Sequence, residues 1–551
     1  MGLDPKRLDS LPEALVTLYS QVEETILQDM ARKLSAYDYF VPAAQHQMQK
    51  LEELGAVRED IISRLSAITG KSRKEIADMV SEAGKQVVRD DVEYYTAADV
   101  YKPTQAGKEA VYSALNSGLK QTEQSFVNIT RTTANAATRQ FERALDTAWA
   151  QISTGTMDYN SAIRGAVKVL AAQGLQSVTY KSGRTDTLEV AVRRAAITGV
   201  NQAAMRTSAA LANELGLDLV EVSAHSGARP EHARWQGKCY SLHGRQEIDG
   251  VVYEDLRKAT GYGTGAGLGG WNCRHSFSPY VHGAPRTYTP EMLERYNARN
   301  IEYNGKKYTE YEASQIQRGL ERNIRRWKRE NSAMTAAGLD ATDSAVRLRS
   351  TQAGLRDFLK QTGLKRQSDR EQIAGFGRSQ AAKATNAAAE YYKVWSKSLN
   401  VNNAIKTLAN YYDVKYNTSP RYELLQKYVR SVSSGRMSPL SGFDLYEKYH
   451  ARIEEEIVGK TTVNGIGIAG QTNHFLERVF GTASDPKTGR PRNGVSLEEV
   501  KDALFNGIAD KPVAREDGEI SVRFLGKTCS VTMNPNTGKL IQTNPRRDHN
   551  D

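Results

Sequence analysis

Ala224–Gly244, AHSGARPEHARWQGKCYSLHG, and Gly261–Tyr280, GYGTGAGLGGWNCRHSFSPY, decide how the rest of this 551-residue chain is read. Between His225 and Tyr280 fall four of the nine His, two of the three Cys, two of the five Trp and a run of glycines. The flanking segments carry helical periodicity, so this stretch reads as a site or as a rigid, loop-rich α+β knot set in a helical chain. Cys239, Cys273 and His275, with His225, His232 or His243, could supply the Cys and imidazole ligands of a tetrahedral zinc site. We take His232, Cys239, Cys273 and His275 as the candidate metal set. The spacings H-x6-H-x6-C-x3-H and C-x-H match no standard finger, and a buried thiol among hydrogen-bonded histidines accounts for the same residues. A Cys beside His can also make a nucleophile pair, but no third orienting group stands out. A formal G-x-G-x-x-G from Gly265 to Gly270 runs into Trp271-Asn272-Cys273 and not into a helix, so it lacks the dinucleotide mechanism. Its glycines read as positions where backbone packs closely against Trp271. Zinc is thus the one cofactor to consider.

Working outward, Asp186 is placed to N-cap a helix that runs to Leu215, where Gly216 ends it. Ala195, Ala196, Ala203 and Ala204 on that helix permit close packing, so it reads as a buried scaffold feeding the knot through a strand over 219–224. Upstream, Ser10 and Glu13 form a capping box, and Leu11, Leu15, Leu18, Val22, Ile26, Met30 and Leu34 make a stripe that suits an intramolecular core or a docking face. Gly70 reads as a helix stop, with Ser72 and Glu75 capping the next helix. Helical patterns follow over 108–151 and 159–175, and a strand over 177–180.

Downstream of the knot, 309–330 reads as a helix with Ile316, Leu320, Ile324 and Trp327 on one face and Arg318, Arg322, Arg325 and Arg329 on the other. That basic face is either solvated or directed at an acidic protein or packaged DNA. Residues 345–450 continue as a helical spacer, and VNGIGIAG marks a linker near 459–470. Beyond it, 472–481 and 496–507 read as two short helices, and 519–525, 528–533 and 540–543 as strands joined by Gly526-Lys527 and Asn534-Pro535-Asn536-Thr537-Gly538.

Length alone suggests several domains. The net charge of +11 favours acidic partners, although 461–551 is nearly neutral, and a mean hydropathy of −0.58 suggests much exposed helix. Three cysteines argue against a disulfide framework. The N-terminus lacks the apolar core of a signal peptide and no run approaches a membrane span, so no membrane partner is expected and synthesis and assembly are placed in the host cytoplasm.

The order HSGARPEHARWQGK, GYGTG, GGWNCRHSFSPY and then TYTPEML resembles phage minor capsid proteins related to the Mu F-type head-morphogenesis family, loosely from about residue 5 to about residue 380. The resemblance implies a structural virion protein acting with the phage portal and major capsid proteins during procapsid assembly, located in the capsid interior or at the portal vertex. NHFLERVFG, SLEEVKDALFNG and VTMNPNTGKLIQTNP resemble, in pattern, the barnase, colicin and RelE-like ribonuclease toxins appended to phage proteins. That resemblance implies metal-independent cleavage of an RNA substrate. The residues to carry it are His474 as acid or base, Arg478 one turn later, and Arg523, Lys527 and Thr543 as phosphate contacts. An internal head protein organising packaged DNA, with an inactive C-terminal appendage, is the alternative. The expected fold is mainly α: an elongated multi-helix body with the small knot, followed by a small C-terminal α+β domain. Domain bounds are expected at 1–105, 106–290, 291–458 and 462–551.

Overall fold

The computed structural model describes residues 3–102, 104–180, 183–417, 419–482, 489, 491–514 and 519–546. The chain is mainly α, with only small sheets, and it divides into two compact units, residues 1–385 and 386–551.

In the first unit, helices Glu13–Ala36, Ala43–Ala97, Gln105–Ser153, Tyr159–Gln173, Leu188–Glu214 and Glu310–Ala336 share one hydrophobic core. Leu15, Ile26, Met30 and Leu34 are buried in it, so the N-terminal stripe is an intramolecular face. Its expected capping box does not form: Pro12 occupies the cap, Ser10 donates to the Arg7 carbonyl (2.9 Å), and Glu13 pairs instead with Arg193 (2.7 Å). The expected break at 70–72 is also absent. Ala43–Ala97 is a single 55-residue helix, in which Gly70 faces open space and Ser72 turns its hydroxyl back to the Thr69 carbonyl (3.1 Å). A glycine costs a helix about 1 kcal/mol, which packing along the rest of its length outweighs.

The small-residue helix behaves as its composition predicts. Leu188–Glu214 packs against Gln105–Ser153 so closely that a Cβ on Gly118 would lie 2.5 Å from the Cβ of Ala203 and 2.9 Å from its Cα. A Cβ on Gly199 would lie 2.4 Å from Thr122 Oγ1. Because backbone stands opposite Gly118, no side-chain rotation can relieve a substitution there. Gly118→Leu is expected to destabilise this unit by about 1–3 kcal/mol or more, read as a lowered urea midpoint, since overpacking forces the helices apart.

Glu310–Ala336 starts at a capping box between Thr309 and Glu312 and is covered on both sides, by Thr342–Thr362 and by Glu13–Ala36 with Tyr159–Gln173. The expected basic face is therefore largely internal. Arg325 pairs with Glu189 (3.1 Å) and Arg329 with the buried Glu23 (3.3 Å), each arginine side chain being 11% exposed. Arg318 and Arg322 have no ion pair or hydrogen bond among the described residues and line a cavity.

In the second unit, Ser419–Ser433, Phe443–Glu456 and Asn473–Phe480 pack with a sheet whose strand order is Gly470–Gln471, Lys539–Pro545, Cys529–Asn534, Ile520–Leu525, Ile508–Ala509. The last three long strands form the antiparallel meander expected from their turns. Ser496 and Glu499 close the capping box of Leu497–Lys501, which continues as one π turn over Asp502–Asn506. The glycine stretch expected to be a linker is folded into this unit. Gly459 donates to the Ile468 carbonyl (2.8 Å), Ala469 to the Gly538 carbonyl (2.8 Å), and Ile468 is buried. The chain therefore divides at 385/386 and not at 459–470, because the helices before the glycines and the sheet after them bury one shared core.

Candidate functional site: a buried polar knot

The knot is built on a three-stranded antiparallel sheet, Cys239–Ser241, Leu219–Val222 and Phe277–Pro279, seated against the scaffold helix Leu188–Glu214. The glycine run packs on itself: a Cβ on Gly267 would lie 2.0 Å from the Gly261 carbonyl oxygen, and one on Gly265 would lie 2.6 Å from the Trp271 ring. That close approach delivers Cys273 and His275 to the helix. There Asn201, a fully buried polar side chain among small residues, donates to the carbonyls of Cys273 (3.2 Å) and His275 (2.9 Å).

His232, Cys273 and His275, all buried, offer ligand atoms within 4.8 Å of one another. Cys273 Sγ lies 3.7 Å from His232 Nδ1 and 3.6 Å from His275 Nδ1. The outer nitrogens are fixed by acceptors. His232 Nε2 meets the Ala266 carbonyl (3.1 Å), and His275 Nε2 meets Gln236 Oε1 (3.0 Å). Gln236 Oε1 also accepts the His225 backbone N–H (3.1 Å), which fixes it as the oxygen end of the amide. Both Nε2 atoms must therefore carry the proton, and both Nδ1 lone pairs face the sulfur. The His225 ring lies 4.5 Å from that of His275, centroid to centroid; its Nδ1 meets the Ser226 carbonyl (2.7 Å), and its Nε2 is buried without a hydrogen-bond partner. Burial holds His225 and His232 below the usual imidazole range and His275 well below it.

Cys239 does not join this set. Its neighbour Tyr240 packs with Met205, Trp235 and Cys273, so strand alternation turns Cys239 to the opposite face, towards Leu219, Tyr253 and Tyr280. Burial and the Glu221 carboxylate push its thiol up to about 12. His243 is exposed and paired with Asp218 (2.5 Å). The nucleophile reading of Cys273 is also opposed by its surroundings, because burial raises its thiol pKa whereas a reactive cysteine needs it lowered. Gln236, Asn201 and the Ala266 carbonyl went unread in the sequence; the one available signal was a lone Asn inside an alanine-rich helix.

His225, His232, Cys273 and His275 line one wall of a cavity of about 360 Å³ that also includes Arg229, Arg274, Arg318 and Arg322. Burial and the charges of Arg274 and Arg370 push Arg318 down to about 10, with Asp9 opposing them. Asp9 itself accepts Arg274 (2.5 Å) and Arg370 (2.5 Å).

Of the C-terminal candidates, His474 and Arg478 are in contact. His474 Nδ1 meets the buried Glu477 (3.3 Å) and its Nε2 lies 3.4 Å from Arg478 Nε, as i, i+3 and i+4 spacing dictates. Arg523 is exposed and sits between the core residues Val522 and Phe524, so it projects from the outer face of the sheet. Lys527 is exposed in a turn, its backbone N–H donating to Asp502 (3.0 Å). Thr543 is fully buried and donates to the Ser530 carbonyl (3.0 Å), which removes it as a phosphate contact.

Fold and site together define a mainly helical protein that holds a buried Cys/His knot against its scaffold helix. The model of the phage minor capsid protein 2 family matches residues 3–360, and the chain belongs to that family. It is similar to a structural protein of Lactococcus phage LL-H, 24% identical over 342 residues that cover 59% of this chain and 87% of that protein. It is also similar to a structural protein of Lactococcus phage mv4, 36% identical over 118 residues that cover 21% of this chain and 87% of that one. No solved structure matches. The chain is thus a phage structural protein of the virion, and no helix among the described residues is long and apolar enough to cross a membrane.

Proposed function

We propose that this protein is a head-morphogenesis component of the Mu F kind, bound beside the portal during procapsid assembly, at the portal vertex or capsid interior. The observation that carries the reading is the family match over 3–360, which spans the helical body and the whole knot. The ion pairs that cross the body, Glu23 with Arg329 and Asp9 with Arg274 and Arg370, suit a rigid part that positions other proteins. Cross-linking of procapsids purified from infected cells tests it. Links between this chain and the portal protein are expected; a chain found only free in the lysate overturns the reading.

Two narrower readings have one observation each. Organisation of packaged DNA rests on Arg318 and Arg322, the arginines of the 309–330 helix that open to the cavity without a partner among the described residues. It requires a salt-dependent DNA affinity that falls when both are replaced by Gln. A C-terminal ribonuclease effector rests on the His474–Glu477–Arg478 contact alone. It requires RNA cleavage in the presence of chelator that His474→Ala abolishes, and a folded chain that cleaves no RNA refutes it.

A further inference from the structure

We propose that His225, His232, Cys273 and His275 form a zinc(II) site. Three independent hydrogen bonds to acceptors fix the proton on one nitrogen of each imidazole, as described above, and leave three buried lone pairs: Nδ1 of His232 and Nδ1 of His275, which face the sulfur, and Nε2 of His225, whose ring lies 4.5 Å from that of His275. The Cys273 thiol has one proton, so without a metal it can satisfy only one of them, and His225 Nε2 has no partner at all. Buried acceptors left in this state are rare in folded proteins and call for an occupant.

The spacing identifies the occupant. Zinc binds nitrogen at about 2.0–2.1 Å and thiolate sulfur at about 2.3 Å, and a tetrahedral angle between them gives an N···S edge of about 3.6 Å. The two N···S separations are 3.6 and 3.7 Å. Both match the N···S edge of a zinc tetrahedron, and both are also within the range of a hydrogen bond to sulfur. His225 closes the fourth vertex by moving its Nε2 towards the other three. The supports of the site are those of a zinc centre, since each outer nitrogen donates to a carbonyl or an amide oxygen, which orients the ring and raises its basicity. Binding displaces one proton, that of Cys273, and the thiolate cancels one of the two charges of the ion. Of the guanidiniums that share this cavity, Arg274 is engaged with Asp9 and Arg229 with the Trp271 carbonyl, while Arg318 and Arg322 also line it. Zinc would clamp the 225–236 turn to the 271–276 loop, and Asn201 would tie both to the scaffold helix.

The test uses the full chain, purified without chelator, and elemental analysis. One zinc per chain is expected. Exchange for cobalt(II) should give the strong visible bands of a tetrahedral site and a thiolate charge-transfer band in the near ultraviolet. Cys273→Ser should lose the charge-transfer band, and Cys239→Ser should keep both spectrum and stoichiometry. Gln236→Leu, which removes only a supporting acceptor, should weaken zinc by about 10–100-fold in competition with a chromophoric chelator. A folded wild-type chain that takes up neither zinc nor cobalt at stoichiometric concentration, or that gives an octahedral cobalt spectrum without charge transfer, overturns the site. Unchanged affinity in His225→Ala overturns the assignment of the fourth ligand.

Discussion

Residues 386–551 are expected to unfold cooperatively as an isolated fragment, whereas residues 462–551 are not expected to fold. The shorter fragment holds the whole meander and both of its short helices, and the sequence marks it off with glycines. Its core, however, is completed by what precedes those glycines. Tyr428, Phe443, Tyr446, Ile453 and Ile457 share one buried cluster with Phe475, Leu476, Phe524 and Met533. The Phe480 ring lies 5.0 Å from that of Tyr449 and 5.9 Å from that of Tyr446. Polar ties follow the same path: Ser431 donates to Glu477 (2.6 Å), Tyr446 to Asn473 (2.5 Å), and Lys501 pairs with Glu456 (2.9 Å). Cutting at 461 would expose several large side chains, each losing about 1.5–3 kcal/mol of burial, which exceeds the net stability of most small domains. Urea titration of the two fragments by circular dichroism checks this; a sigmoidal transition in 462–551 would show that the earlier helices are dispensable.

Asp91→Asn is expected to stabilise the first unit by up to about 4 kcal/mol at pH 8 and to change little at pH 4. Asp91 lies on the 55-residue helix, is fully buried, and has its carboxyl pushed up to about 7 by burial, an effect moderated by the Ser208 hydroxyl and reinforced by Asp90. A carboxyl whose folded pKa is above its unfolded value favours the native state fully below the unfolded pKa. That contribution is lost as pH rises through the folded one, here between about 4 and 7, at about 1.4 kcal/mol per unit. Glu24, also pushed up to about 7 by burial, adds a parallel loss that the substitution leaves in place. Urea midpoints of wild type and variant should therefore diverge from pH 4 to 7 and run parallel above it. Tryptophan fluorescence suits the measurement, because Trp149, Trp235, Trp271 and Trp327 lie in this unit and only Trp395 in the other. Parallel curves over the whole range would mean that Asp91 is ionised in the native protein throughout.

What could be read in the sequence was what is local. The meander follows from alternation and from its turns, where Asn534 Oδ1 accepts the backbone N–H groups of Asn536 and Thr537. The scaffold helix follows from its alanines, and the knot from the clustering of Cys and His. Long-range partners could not be read. The periodicity that placed Arg325 and Arg329 on one face is the same whether that face meets water, DNA or Glu189 and Glu23, and the last of these is 306 residues away. Cys239 was misplaced because spacing does not say which face of a strand turns inward; Tyr240 decided it. Gly70 looked like a stop because the gain from packing on either side of it is not visible in composition. Thr543 looked available because a buried hydroxyl and an exposed one read alike.

The most direct test of the central claim is quantitative mass spectrometry of purified mature virions against the major capsid protein. A phage minor capsid protein predicts this chain in every preparation, at a constant ratio far below that of the shell subunit and retained through density-gradient purification. Its absence from virions, with the chain recovered only from the lysate of infected cells, would contradict the account.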